Sequence, residues 1–259
     1  MSFVLRALFV LLSAMLAMPA SAKERSDVRI GVAGDYPPFT FIDENNRFQG
    51  FEIDLANALC AQMKAKCEFV KQDWGDMIPA LLANRFDAIL SSLSITEERK
   101  KKVDFTRRYY QSPGSFATRK AANLRDTSPA AMKGRLVGAQ EHTIHAEYLE
   151  KLYAPAGAQV KLYASQQEAQ LELARGRLDA MLADKVGIFE WIGKTEQGEC
   201  CTLTGEDLTD KAYVGEGVGI AVRKEDRDLK ERFELAIDAI LADGTYKKIN
   251  DKYFPFSIY

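Results

Sequence analysis

From Val28 onward, short apolar runs alternate with amphipathic stretches, the pattern of βα units built around a largely parallel sheet. Residues 28–32 read as the first strand. Next comes Asp35-Tyr36-Pro37-Pro38-Phe39, where each proline disfavours α backbone in the residue before it, so a turn is expected. Beyond Gly50, the residues Phe51, Leu55, Ala58, Leu59 and Met63 recur at helical spacing and predict an amphipathic helix over 51–64. A strand over 67–70, a second helix over 77–84 and a buried strand over 86–90 complete the first series.

One segment returns later in the chain. Arg85-Phe86-Asp87-Ala88-Ile89-Leu90 matches Arg177-Leu178-Asp179-Ala180-Met181-Leu182, and an Ala/Leu-rich helix precedes each. Arg29-Ile30-Gly31-Val32 and Arg135-Leu136-Val137-Gly138 likewise each open a βα series. The spacing is too wide for a solenoid and predicts two lobes of similar construction. In open α/β sheets ligands bind beyond the carboxyl ends of strands. There, Ser91-Ser92-Leu93-Ser94-Ile95-Thr96 follows one repeated strand and Ala183-Asp184 the other. Hydroxyls on one lobe and a carboxylate on the other would enclose a polar small molecule between them.

The first 22 residues differ from the rest: Arg6 is the only charge, 7–18 is apolar, and Pro19-Ala20-Ser21-Ala22 ends in small residues. This predicts a cleaved export leader over 1–22, with an apolar run too short to span a bilayer comfortably. No cysteine lies near the cleavage point to accept a lipid. Cleavage removes one of 35 basic residues and none of 37 acidic ones, leaving 237 residues with a net charge of −3. The near balance, with basic residues scattered, argues against nucleic acid as a partner. Export also admits disulfides. Cys60 and Cys67 close a short loop between helix and strand and are expected to pair, whereas adjacent Cys200 and Cys201 are compatible with either thiols or a strained ring. Two histidines and no suitably spaced Cys/His set leave no expected metal site or cofactor.

Taken together, several segments resemble the periplasmic solute-binding proteins of family 3, and especially the lysine/arginine/ornithine- and histidine-binding group. They are Gly50-Phe51-Glu52-Ile53-Asp54-Leu55, the Cys60/Cys67 pair, 91–96 with Arg99, Gly176-Arg177-Leu178-Asp179-Ala180, Asp243-Gly244-Thr245-Tyr246 and Lys252-Tyr253-Phe254. The resemblance implies a two-lobed α/β fold of the type II periplasmic binding kind, with mixed, mostly parallel sheets joined by two hinge crossings. One lobe would comprise 23–111 and 217–259, the other 116–212. It further implies a periplasmic monomer that captures a polar, basic amino acid or a derivative and delivers it to an inner-membrane ABC permease.

The resemblance also assigns roles. Arg99 would take the α-carboxylate through paired charge-assisted bonds, which a planar guanidinium can form. Asp184 would take the α-ammonium; Ser91, Ser92, Ser94 and Thr143 would add hydroxyl or backbone bonds, Thr143 near a helix N-terminus. Tyr36 and Trp74 would sandwich the ligand side chain, charged or apolar. Departures fall at specificity positions: Ala33 stands where basic-amino-acid binders carry an acid, and Ile144 replaces a hydroxyl residue. Asp35 and Glu141 are then the available acceptors for a distal cation. His142 and His145, three apart, are expected to cap a helix in preference to tuning binding with pH.

Two other functions share this fold. Cyclohexadienyl and arogenate dehydratases resemble the chain around Gly34-Asp35-Tyr36 and Pro38-Phe39, but their general acid would fall at position 187, which is glycine. A sensor module would require a membrane span after the clamp, and the sequence ends at Tyr259. Binding for import is therefore the expected function, without catalysis.

Overall fold

The computed structural model describes residues 27–259; the expected leader lies outside them. Strand β1 (Asp27–Val32) leads into a small antiparallel meander of β2 (Asp35–Tyr36), β3 (Thr40–Ile42) and β4 (Phe48–Gln49). Helix α1 (Phe51–Gln62), β5 (Lys66–Lys71), α2 (Met77–Leu82), β6 (Ala88–Ile89), α3 (Glu97–Lys100) and β7 (Asp104–Tyr110) follow. The chain then crosses to β8 (Gly114–Arg119), β9 (Leu136–Gln140), α4 (Ile144–Tyr148), β10 (Gln159–Tyr163), α5 (Gln166–Ala174), β11 (Ala180–Asp184), α6 (Lys185–Lys194) and β12 (Cys201–Leu208). After α7 (Lys211–Val214) it returns for β13 (Val218–Val222), α8 (Arg227–Ala242) and α9 (Thr245–Tyr253).

Two five-stranded sheets result, ordered β5-β1-β6-β13-β7 and β10-β9-β11-β8-β12. In each, the first three strands are parallel and the fourth runs against its neighbours. That fourth strand is the one entered directly from the other lobe: β8 follows β7, and β13 follows β12. Each sheet carries its own apolar core. Val28, Ile30, Leu55, Phe233 and Ile237 are buried in one; Phe116, Val137, Leu149 and Leu182 in the other.

The repeated segment does the same job in both lobes. Asp87 accepts the Arg29 N–H at 3.0 Å and its Nε–H at 3.1 Å, and Asp179 accepts the Leu136 N–H at 2.8 Å. Main-chain bonds return from Asp87 N–H to Arg29 and from Asp179 N–H to Leu136, at 2.8 and 2.9 Å. Phe86 and Leu178 lie over Gly31 and Gly138, where a β-carbon would come within 2.6 Å of either side chain. Strand register is thus set by an aspartate that ties two neighbouring strands and by a glycine that admits a bulky neighbour.

Helix α1 starts at Phe51 as the periodicity predicts and ends at Gln62, with Lys64 in the left-handed region at φ 52. α2 stops at Leu82, shortly before Asn84 at φ 59. Cys60 and Cys67 form the expected disulfide between α1 and β5. Cys200 and Cys201 also pair where β12 begins, with Cys201 completely buried. No helix among the described residues is long and apolar enough to cross a membrane.

Candidate functional site

The loops after β1, β6, β9 and β11 converge between the sheets. Ten residues selected from the sequence (Asp35, Tyr36, Trp74, Ser91, Ser92, Ser94, Arg99, Thr143, His145 and Asp184) line one cleft with about 40 Å³ of free space, whereas Glu141, expected with Asp35 to be an available acceptor, is not among its lining residues. That is room for a few water molecules. An amino acid enters only if the lobes separate. A roomier hollow of about 1030 Å³ behind the crossings, between Arg107, Lys211 and Tyr259, contains none of the ten.

Arg99 is held by short-range structure. Thr96 caps α3 by accepting the Arg99 N–H at 3.3 Å, and the guanidinium donates through Nη1 to the Ser94 carbonyl at 3.0 Å. Its Nη2 reaches the carbonyl of His142, across the cleft, at 3.3 Å, while Cζ stands 5.7 Å from the Trp74 ring centre. Burial lowers its pKa to about 10, against the pull of Glu147 and Asp184. It remains a cation at neutral pH.

Asp184 ends β11 and precedes α6, yet its side chain makes no capping bond. Instead the carboxylate faces the cleft and accepts the Tyr36 hydroxyl at 3.3 Å. Burial raises its pKa to about 7, partly offset by that bond and by Arg99. His145 Nε2 lies 3.7 Å from Asp184 Oδ1, beyond hydrogen-bond distance. Burial, reinforced by Arg99, takes the imidazole down to about 3, so His145 is neutral across the physiological range. The expectation that the histidines cap the helix is not met: Thr143 is the cap of α4, accepting the Ala146 N–H at 3.1 Å. His142 sits just before it in the left-handed region at φ 60.

The aromatic walls follow two adjacent parallel strands of one lobe, Tyr36 after β1 and Trp74 after β5. Tyr36 stacks on Phe39 at 5.0 Å, and Phe39 on Tyr110 at 5.0 Å. Trp74 opens a short 3₁₀ turn, packs against the Met77/Leu81 core, and donates its Nε1–H to the His142 carbonyl at 3.2 Å. It serves core and cleft at once. Asp35 lies in the cleft, with burial raising its carboxyl above the usual range.

The hydroxyl loop divides its labour. Ser91 Oγ accepts the Ala33 N–H at 3.0 Å. Ser92 donates both its N–H, at 2.6 Å, and its hydroxyl, at 3.2 Å, to Glu52. Gln140 and Gln166 also line the cleft and were not selected from the sequence. An isolated glutamine at a strand end or helix start carries no pattern that distinguishes it from surface.

The model of the bacterial extracellular solute-binding proteins, family 3, matches residues 28–256. The chain belongs to that family. An L-arginine-binding protein of Pseudomonas aeruginosa is 44% identical over 245 residues, covering 95% of this chain and 94% of the relative. The ABC transporter arginine-binding protein 1 of Escherichia coli is 38% identical, covering 95% and 98%. Among solved structures, an ancestral arginine-binding protein bound to arginine superposes with a TM-score of 0.81 at 34% identity, covering 89% of this chain and 99% of that one. As a family member the chain is a periplasmic binding protein and not an enzyme. At position 187 a β-carbon would stand 2.5 Å from the Tyr36 hydroxyl, so a larger side chain there requires Tyr36 to shift.

Proposed function

We propose that this protein is the periplasmic binding component of an ABC importer and that its ligand is L-arginine. The carrying observation is that Arg99 on one lobe and Asp184 on the other face a single cleft walled by Tyr36 and Trp74. A free amino acid presents an anion and a cation about one residue apart, and this pair matches both. In this reading Arg99 takes the α-carboxylate and Asp184 the α-ammonium, displacing the Tyr36 hydroxyl. Ser91, Ser94 and Thr143 complete the head-group cradle, with His145 as a neutral neighbour of Asp184. Tyr36 and Trp74 enclose the side chain, and Asp35 supplies the acceptor for the guanidinium that Ala33 does not. The names of the similar arginine-binding proteins support the choice among basic amino acids.

The protein acts as a monomer, closing by bending at 111–113 and 209–217, and the inner-membrane permease distinguishes the closed form. The test is a thermal-shift and calorimetric series with L-arginine, L-lysine, L-ornithine, L-histidine and L-glutamine, after partial unfolding to remove co-purified ligand. L-Arginine at 100 times its dissociation constant should stabilise by about 2.7 kcal/mol. A larger shift from another amino acid would reassign the ligand, and no shift from any would refute the reading.

A further inference from the structure

Glu52 is completely buried on the first turn of α1 and does not line the cleft. Its Oε1 accepts the Ser92 N–H at 2.6 Å, the Ser92 hydroxyl at 3.2 Å and the Tyr109 hydroxyl. Its Oε2 has no hydrogen-bond partner among the described residues. A carboxyl group withdrawn from water at this depth is retained at a cost unless its contacts are needed.

What those contacts hold is unusual. Ser92 stands at φ 53, a left-handed backbone that a residue with a β-carbon adopts only where its surroundings impose it. Both of its donors point to Glu52, and both flanks of the turn reach the ligand cradle. On one side Ser91 Oγ accepts the Ala33 N–H. On the other, Leu93 is buried in the core, and the Ser94 carbonyl accepts Nη1 of Arg99 at 3.0 Å. The path therefore runs from Glu52 through the Ser92 backbone to the carbonyl that orients Arg99.

We propose that Glu52 is a positioning residue for ligand capture: by holding Ser92 in the left-handed turn it sets where the 91–94 loop and the Arg99 guanidinium meet the ligand's carboxylate. This rests on the cleft reading given above. Burial, which raises the Glu52 carboxyl to about 7 against its three hydrogen bonds, agrees with a group kept in place for its geometry.

The experiment uses the full mature chain with L-arginine as probe and measures affinity by calorimetry alongside the melting temperature. Glu52→Met roughly keeps the volume and removes both acceptor oxygens, and should weaken affinity about tenfold or more while stoichiometry stays at one. Glu52→Gln keeps an amide oxygen that can accept from the same three donors, and should bind within about threefold of the starting protein. A merely structural Glu52 predicts instead a lower melting temperature with unchanged affinity in Glu52→Met, and that result overturns the proposal. If Glu52→Met does not fold, Tyr109→Phe, which removes one of the groups steadying the carboxylate, should weaken affinity severalfold, and an unchanged affinity counts against the proposal equally. Arg99→Ala is the control: if it still binds L-arginine normally, the cleft reading fails. Normal binding by Glu52→Met beside a disabled Arg99→Ala sinks only the role of Glu52.

Discussion

Arg99 and Asp184 carry the strongest predictions at the residue scale. Truncating Arg99 leaves a ligand carboxylate buried without a partner, at about 2–5 kcal/mol, so Arg99→Ala should weaken L-arginine binding by roughly thirtyfold to several thousandfold. Arg99→Lys, which keeps the charge but loses the fork, should fall between. Calorimetry decides, and an unaltered affinity in the alanine variant would falsify the assignment. Asp184 predicts a pH dependence. Its carboxyl sits at about 7 in the closed cleft, so between about pH 4 and 7 the closed form retains a proton that an exposed aspartate has released. Closure without ligand is therefore favoured as pH falls, whereas a ligand ammonium requires the carboxylate. Affinity should drop below pH 7, by up to about tenfold per unit, and Asp184→Asn should bind weakly at every pH with a flat profile. Equal wild-type affinity at pH 6 and pH 8 would contradict this. At this scale the sequence was readable where a residue belongs to a local motif: Ser91 to Arg99 lies in one short segment, and Asp184 ends a repeated strand. Glu52 was not readable as a support, because its partner Ser92 is 40 residues away and nothing in a helical pattern marks a polar position as buried.

Among the elements, the two halves of the repeat show why the fold was legible. Arg29 with Asp87 and Leu136 with Asp179 are sequence-visible because strand register depends on them, while Gly31 and Gly138 are visible because Phe86 and Leu178 need the space. Helix ends were less so: α2 stops before the predicted boundary, close to Asn84, whose left-handed backbone has no apolar signature. The α1–β5 junction offers a test. Cys60 and Cys67 close a loop with a sequence separation of 7, which in the chain-entropy account stabilises by about 2.5 kcal/mol. For a chain of this size, replacing both with serine should lower the melting temperature by about 5 °C or more. Because Cys60 lies near the C-terminal end of α1, about two turns beyond the Glu52 that bonds the Ser92 loop, ligand affinity at low temperature should stay within about twofold. A large loss of affinity without a change in melting temperature would show that the bridge acts on the site instead of the scaffold.

For the whole molecule, the governing fact is that the lobes bond directly to one another. Tyr36 donates to Asp184, and the His142 carbonyl accepts from both Trp74 and Arg99, so one left-handed residue on the second lobe gathers two donors from the first. Motifs announced the two lobes but not this latch, because the acceptor is a backbone oxygen and any residue type could supply it. If the latch holds the ligand in, its loss should appear in the dissociation rate, since these contacts form only after encounter. Trp74→Phe keeps an aromatic wall and removes the Nε1–H. With a neutral hydrogen bond contributing about 0.5–1.5 kcal/mol, release of labelled L-arginine in a stopped-flow chase should accelerate about twofold to tenfold, with the association rate little changed. Gly75→Ala approaches the same contact from the other side: its β-carbon would stand 2.8 Å from the His142 ring, which must turn aside or hold the lobes further apart. It should accelerate release while leaving both aromatic walls and Arg99 intact, and small-angle scattering of the ligand-saturated protein should report a larger radius of gyration than the wild type. A slower association with unchanged release in both variants would place Trp74 and Gly75 on the entry path and remove the latch from the account of closure.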